Sequence, residues 1–198
     1  MPKVTDEYRD ARRAQVLAAA RRCFVRDGFH ATSMTDICRA AGVSSGVIYL
    51  YFSSKDDIIA AIAEQNLGGI AQVARDLARR HGGQGAGTVF AGLLAYVRAE
   101  HERDGLASIA LLVWSESLRN EVLAGRLSEA FAEVRGMFIG LLRTEESAEG
   151  PGPMSAEETA ALFASIFAGY VMQLATQPPD ATAQVPGAVA GLWGPTGD

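Results

Sequence analysis

The sequence predicts an all-α protein of about nine helices. Three observations carry that prediction. Apolar residues recur at spacings of three and four nearly throughout the chain, no segment sustains the alternation of a strand, and Gly, Pro and Ser-x-x-acid punctuation falls at the ends of the periodic stretches. No repeat of fixed period runs through the 198 residues. Hydrophobic residues make up 48% and charged residues 21%, too apolar for a disordered chain, and the 21 Gly follow no every-third-residue period, which excludes a collagen-like fibre.

From Arg9 to Asp27 the apolar positions Val16, Leu17, Ala20, Cys23 and Phe24 form one helical face, and Gly28 stops the helix. Ser33-x-x-Asp36 is a capping box that opens a short helix from Met34 to Ala41, ended by Gly42. Ser44 caps another, to about Leu50. Ser54-x-x-Asp57 opens a third, which Ile58, Ile62, Ile70, Val73 and Leu77 carry to about Arg80. His81 to Gly87 holds four Gly in seven residues and is expected to be a mobile connection. Phe90, Leu93, Leu94 and Val97 mark the next helix, ending near Asp104-Gly105. Leu106 to Leu118 is apolar on most faces and is expected to be buried. Leu123, Leu127, Phe131, Val134, Met137, Phe138, Leu141 and Leu142 form a long amphipathic stripe, followed by a loop at Glu149–Pro153. Ser155-x-x-Glu158 caps a helix to about Gln177, which Pro178-Pro179 stops, and a last short helix runs from Pro186 to Trp193.

The formal net charge of −5 hides an asymmetry. Residues 1–55 hold 9 Lys+Arg against 5 Asp+Glu, whereas the remainder holds 9 against 18. A basic N-terminal unit on an acidic body fits one part that meets a polyanion and one that does not, although charge alone leaves a chance asymmetry open. The two cysteines, Cys23 and Cys38, are too few for a disulfide framework and fall at apolar positions, as small buried hydrophobes do. No basic-then-apolar leader opens the chain, so the expected compartment is the cytoplasm. Thr159 to Ala175 is a run of 17 residues without a charge. It is shorter than the roughly 20 residues a bilayer demands and has no basic flanks, so the expectation is a helix buried between the core and a second subunit, with no membrane partner. The small or flexible positions Ala161, Ala164, Ser165, Ala168, Gly169 and Met172 are its candidate homodimer contacts.

The informative stretch runs from Thr32 to Lys55. It comprises two short helices about Gly42, the arrangement of a helix-turn-helix. Gly42 supplies the left-handed backbone of the turn, and the small Cys38 allows the second helix to cross close to the first. Ile37, Ala41, Val43, Ile48 and Phe52 are the positions that hold the pair to the preceding helix, which leaves Ser45, Gly46, Val47, Tyr49 and Leu50 facing outward or near the edge. An exposed surface of Tyr and small residues suits close approach to a DNA groove.

On Phe29, Thr32, Ile37, Ala41, Gly42-Val43-Ser44, Ile48-Tyr49, Tyr51-Phe52 and Ser54-Lys55, the chain resembles the TetR family of bacterial transcriptional regulators. The resemblance is close over about a quarter of the chain and loose beyond it, with Trp114-Ser115-Glu116 and Arg119-Asn120 also similar to a stretch of some members. It implies a three-helix DNA-binding head, residues 1–53, and a helical body, residues 54–198, that binds a small effector and dimerises. Carried over by position, Ser44, Ser45, Gly46 and Val47 would face the DNA, with base edges opposite the last three. Tyr49, Tyr51 and Lys55 would meet phosphates, helped by Thr32 and Thr35. Tyr hydroxyls and Lys are phosphate partners that fix register without reading sequence. The chain departs from the family where Lys is common at position 45 and Thr at position 47. Val47 offers only apolar contact, for instance to a thymine methyl.

Other signals are blander. Tyr49 and Tyr51 also read as amphipathic packing residues, and a lone Lys55 as a solvated one. His30, His81 and His101 are too scattered for a metal site, the Gly run lacks the Lys-Ser/Thr and the strand of a phosphate loop, and no nucleophile elbow or triad is present. No enzyme activity and no cofactor are implied. In the body, Phe90, Trp114, Glu116, Phe138, Phe167 and Tyr170 are candidates for an effector site, Trp114 and Tyr170 because each adds a polar handle. Each aromatic also reads as plain core, and Glu116 as an ion-pair partner of Arg119. Two functions follow. The first is a repressor that binds a palindromic double-stranded operator as a dimer and is released by a small, largely apolar effector. The second is an all-α interaction or adaptor module whose basic head does not read DNA sequence. Retention on a palindromic duplex against competitor DNA separates them.

Overall fold

The structure, a computed structural model, describes residues 6–149 and 154–193. The described residues form nine α-helices and no strand, in two compact units that divide between Gln65 and Asn66.

The first unit holds α1 (Asp6–Asp27), α2 (Met34–Ala41), α3 (Ser45–Tyr49) and the first turns of α4 (Lys55–His81). The inner face of α1 buries Val16, Leu17, Ala20, Cys23 and Phe24, and packs mainly on α2. Ile37, Cys38 and Ala41 of α2, Ile48 of α3, and Phe52 complete the head, each nearly without solvent contact. Both cysteines are buried and free. Gly42 has φ +65, and its N–H donates to the Arg39 carbonyl while Val43 N–H donates to that of Cys38. This left-handed closure of α2 fixes where α3 starts. The head reaches past the expected boundary at residue 53, because Ile58, Ile59 and Ile62 on the first turns of α4 are also buried.

The second unit holds the rest of α4, a 3-10 turn at Gly82–Gln84, α5 (Ala86–Asp104), α6 (Leu106–Ser117), α7 (Glu121–Glu149), α8 (Ala156–Thr176) and α9 (Val185–Trp193). Helix α5 lies at its centre, packed along α9 and against α6, α7 and α8. Its core is aromatic. The Phe90 ring stacks on Phe163 with centroids 4.3 Å apart, and Phe138 and Trp193 meet Phe163 edge-on at 5.4 and 5.3 Å. Arg98 ties distant stretches together, donating to the Tyr170 hydroxyl at 3.1 Å, the Pro179 carbonyl at 3.1 Å and the Thr182 hydroxyl at 2.7 Å.

Two expectations change. The glycine run is not an extended connection, since α4 continues through His81 and only Gly85, at φ +93, separates the 3-10 turn from α5. Gly87 is buried inside α5, where a Cβ would collide with the Trp193 backbone. It is therefore small for contact, not for mobility. With no side chain at Gly85 to cap α5, the Glu145 carboxylate accepts from Ala86 N–H. Helix α6 buries Leu106, Ala107, Ile109 and Val113 and half-buries Ala110, Leu111, Leu112 and Trp114, but Leu118 just after it is 84% exposed, so the expected burial stops at the end of the helix. Helix α8, at 21 residues, is by length and composition apolar enough to cross a membrane, which the 17-residue charge-free run does not reach. Its Ala160, Phe163, Phe167, Tyr170, Val171 and Leu174 are buried in the second unit. Beyond Glu149, the expected Glu149–Pro153 loop lies outside the described residues.

Candidate nucleic-acid interface

The helix-turn-helix presents its expected face to solvent. Ser44, Ser45 and Gly46 are exposed, Val47 is half-buried, and Tyr49 is 56% exposed. Ile48 alone turns fully inward, which orients α3. Ser44 is the N-cap of α3 but makes no side-chain cap hydrogen bond, so its hydroxyl is uncommitted there. Thr35 is exposed on the first turn of α2, and Tyr51 is half-buried beyond α3. Leu50, the C-cap of α3, is 76% exposed although strongly apolar. Between Ala41 and Lys55 there is no acid, no base and no amide side chain. Bidentate Arg–guanine or Asn/Gln–adenine contacts cannot come from this tract, whose side chains offer only hydroxyl and apolar groups.

Two of the expected phosphate partners are occupied elsewhere. Thr32 is buried and its hydroxyl donates to the Gly28 carbonyl at 2.8 Å, where it braces the turn between α1 and α2. Lys55 folds back over the same turn. Its ammonium donates to the carbonyls of Phe29 at 2.6 Å, Thr32 at 2.8 Å and His30 at 3.4 Å, and stands 4.5 Å from the Phe29 ring centroid. An ammonium has three N–H donors, and these carbonyls take all of them. In the structure Thr32 and Lys55 thus both brace the turn between α1 and α2.

Sequence reasoning misses the other side of this face. A groove of about 420 Å³ is lined by Tyr8, Arg9 and Arg12 of α1, by Gly42, Val43 and Ser44 of the turn, and by Val47, Leu50 and Tyr51. Arg9 is exposed and Arg12 half-buried. The Arg positions on α1 are visible in the sequence as the polar side of an amphipathic helix. Their meeting with the turn, thirty or more residues on, is not.

The body candidates divide. Phe90, Phe138, Phe167 and Tyr170 are buried in the core cluster, and the hydroxyl expected to serve as a polar handle on Tyr170 already accepts from Arg98. Trp114 is half-buried beside Phe131 at 6.4 Å between centroids, and Glu116 is half-buried at the end of α6. Two buried side-chain atoms of α5, His101 Nδ1 and Asp104 Oδ1, have no hydrogen-bond partner among the described residues and stand one turn apart. Among the described residues no group of His, Cys, Asp and Glu is arranged to hold a metal ion. On α8, Ala161, Ala164, Ser165 and Met172 are exposed, Ala168 and Gly169 are half-buried, and Leu162 is 41% exposed on the same helix.

A family model described as bacterial regulatory proteins, tetR family, matches residues 16–62, and one described as BetI-type transcriptional repressor, C-terminal, matches residues 86–190. The chain is 46% identical over 66 residues to the uncharacterized HTH-type transcriptional regulator YfiR of Bacillus subtilis, covering 33% of this chain and 32% of that one. It is 34% identical over 116 residues to the HTH-type transcriptional regulator UidR of Escherichia coli, covering 58% and 56%. The matches therefore span about a third to a half of these relatives' own length. A protein from Saccharomonospora viridis, solved in complex with choline, shares the fold with a TM-score of 0.74 at 20% identity, over 92% of this chain and 96% of that one.

Proposed function

Since the chain belongs to the TetR family of bacterial regulatory proteins, we propose that it is a ligand-responsive transcriptional repressor that acts in the cytoplasm. Two copies joined through α8 bind a palindromic operator with their α2–α3 heads, and a small, largely apolar effector releases them. The observation that carries this reading is the tract from Ser44 to Leu50. It holds only Ile48 fully inside and leaves small, hydroxyl-bearing and apolar side chains facing out, as an element entering a major groove requires. Repression, rather than activation, is favoured by the description of the family model that matches the C-terminal half.

Dimerisation is supported by the outer face of α8. Ala161, Leu162, Ala164, Ser165 and Met172 are exposed there on one of the most apolar helices of the chain. Small residues allow a second helix to approach closely, and a two-fold contact sets two heads in the relation a palindrome needs. For the effector, Trp114 and Glu116 are the candidates that retain surface. The Saccharomonospora viridis protein holds choline, a small cation with an apolar shell, which sets the size of molecule to try first. Helix α4 is continuous from Lys55 to His81, so a ligand that binds one arrangement of the body better than another can move the heads out of DNA-binding register.

The deciding experiment is selection from a random duplex pool with the full chain. Recovery of a palindrome with half-sites about 34–36 Å apart or a multiple, retained against competitor DNA, is expected. Recovery of no common sequence would leave the basic head as an unspecific or protein-binding surface.

A further inference from the structure

We propose that the groove between the first turns of α1 and the α2–α3 turn seats a sugar-phosphate unit of the bound DNA strand, with Arg9 as its ionic contact. The inference rests on the DNA-binding reading above and extends it to a helix outside the helix-turn-helix. The polar side chains lining the groove are Tyr8, Arg9, Arg12, Ser44 and Tyr51. Every one carries an N–H or O–H donor, and none is a carboxylate. Asp6, Glu7 and Asp10, although on the same helix, are not among the lining residues.

The donors are placed rather than scattered. Arg12 donates from Nε to the Tyr8 hydroxyl at 3.0 Å and from Nη1 to Gln15 Oε1 at 2.8 Å, and its guanidinium stands 5.2 Å from the Tyr8 ring centroid. The Gln15 amide donates in turn to the Ala41 carbonyl at 2.7 Å, so the α1 wall is tied to the last turn of α2. A guanidinium has five N–H donors, which leaves Arg12 with most of them for a ligand. Among the described residues Arg9 has no hydrogen-bond or ion-pair partner; it is exposed, and the Ser44 hydroxyl makes no cap bond. The remaining side chains of the lining, Val43, Val47 and Leu50, are apolar.

This pairing of chemistries selects the occupant. A purely apolar effector would bury the Arg9 charge without a partner, which is costly. A free inorganic anion would satisfy the arginines and leave Val43, Val47 and Leu50 uncovered. A nucleotide unit presents anionic oxygens beside the C–H face of a deoxyribose, and covers both. Arg suits the task because its planar fork matches phosphate oxygens.

The test measures binding of the full chain to its selected duplex and to a random-sequence duplex over a salt series. Arg9→Ala is expected to weaken both by a similar factor, and to flatten log K against log salt by about 0.9 for each half-site contacted. Arg9→Lys should keep the wild-type slope. A single neutral methylphosphonate in each half-site, moved along the strand, should find one position that costs the wild type affinity and costs Arg9→Ala none, the coupling expected of direct partners. An unchanged slope in Arg9→Ala, or equal methylphosphonate losses in both proteins at every position, overturns the proposal. Arg9 is exposed on α1, so far-UV circular dichroism should be unchanged, and Arg9→Gln repeats the measurement with a longer side chain. If the wild type retains no duplex at all, the DNA-binding reading itself fails, a result distinct from either of these.

Discussion

Lys55 places its charge against three backbone carbonyls at the turn between α1 and α2, and this changes what its removal should do. Charge-assisted hydrogen bonds are worth about 1.5–3 kcal/mol, so Lys55→Met should destabilise the chain by about 2 kcal/mol in urea denaturation. Its DNA salt slope should stay at the wild-type value, in contrast to Arg9→Ala. A flattened slope with unchanged stability would return Lys55 to the phosphate backbone. The residue's importance is legible in the sequence, but its partners are not. The carbonyls of Phe29 and Thr32 lie 26 and 23 residues away, and nothing in a side-chain pattern marks a carbonyl that needs a donor. The inward role of Thr32 escapes the sequence for the same reason. By contrast, the outward set of Ser44, Ser45, Gly46 and Tyr49 is readable, because the helical period fixes which positions share a face with Ile48.

The helix starts show what local chemistry decides. At α2 the Ser33 hydroxyl accepts from Asp36 N–H at 3.2 Å, while Ser33 N–H donates to the Asp36 carboxylate at 3.0 Å. Ser155 and Glu158 repeat the arrangement at α8, and Ser54 with Asp57 does so at α4. The Ser33 donors, with Arg39, hold the Asp36 carboxyl below its ordinary 3.8, and the Ser155 donors hold Glu158 below 4.5. A depressed folded-state value means stabilisation that is complete above the unfolded value and disappears as pH falls through the folded one. Asp36→Asn should therefore be less stable than wild type at neutral pH, and the gap should close as acid protonates Asp36 below the ordinary carboxylate range. Urea midpoints over a pH series check this, and a gap constant down to the most acidic point would exclude the linkage. Such caps are legible because donor and acceptor sit three residues apart. The glycine run from Gly82 to Gly87 misleads because composition does not separate a glycine needed for backbone freedom, such as Gly85, from one needed for the close approach of Trp193, such as Gly87.

At the scale of the molecule, the outer face of α8 is the proposed contact between two copies. Gly169 faces open space within the chain, with nothing within 4 Å of the point where a Cβ would stand, so Gly169→Arg does not disturb the monomer's own packing. Gly169→Arg and Ala168→Glu should sediment as folded monomers with unchanged helix content and lose operator binding. A wild-type chain that sediments as a monomer at micromolar concentration would defeat the dimer. That α8 is apolar on more faces than one core needs is evident from its charge-free run, whereas the extension of the head to Gln65 is not, since a helix crossing a boundary keeps one unbroken period. The absence of any acid, base or amide between Ala41 and Lys55 has a further consequence for site choice in a crowded genome. Phosphate contacts weaken as counterions accumulate, but hydroxyl and methyl contacts to base edges release no counterions. If the proposed Arg9 contact holds operator and bulk DNA alike, a change in ionic strength should alter how much protein is on DNA while the preference for the operator stays constant.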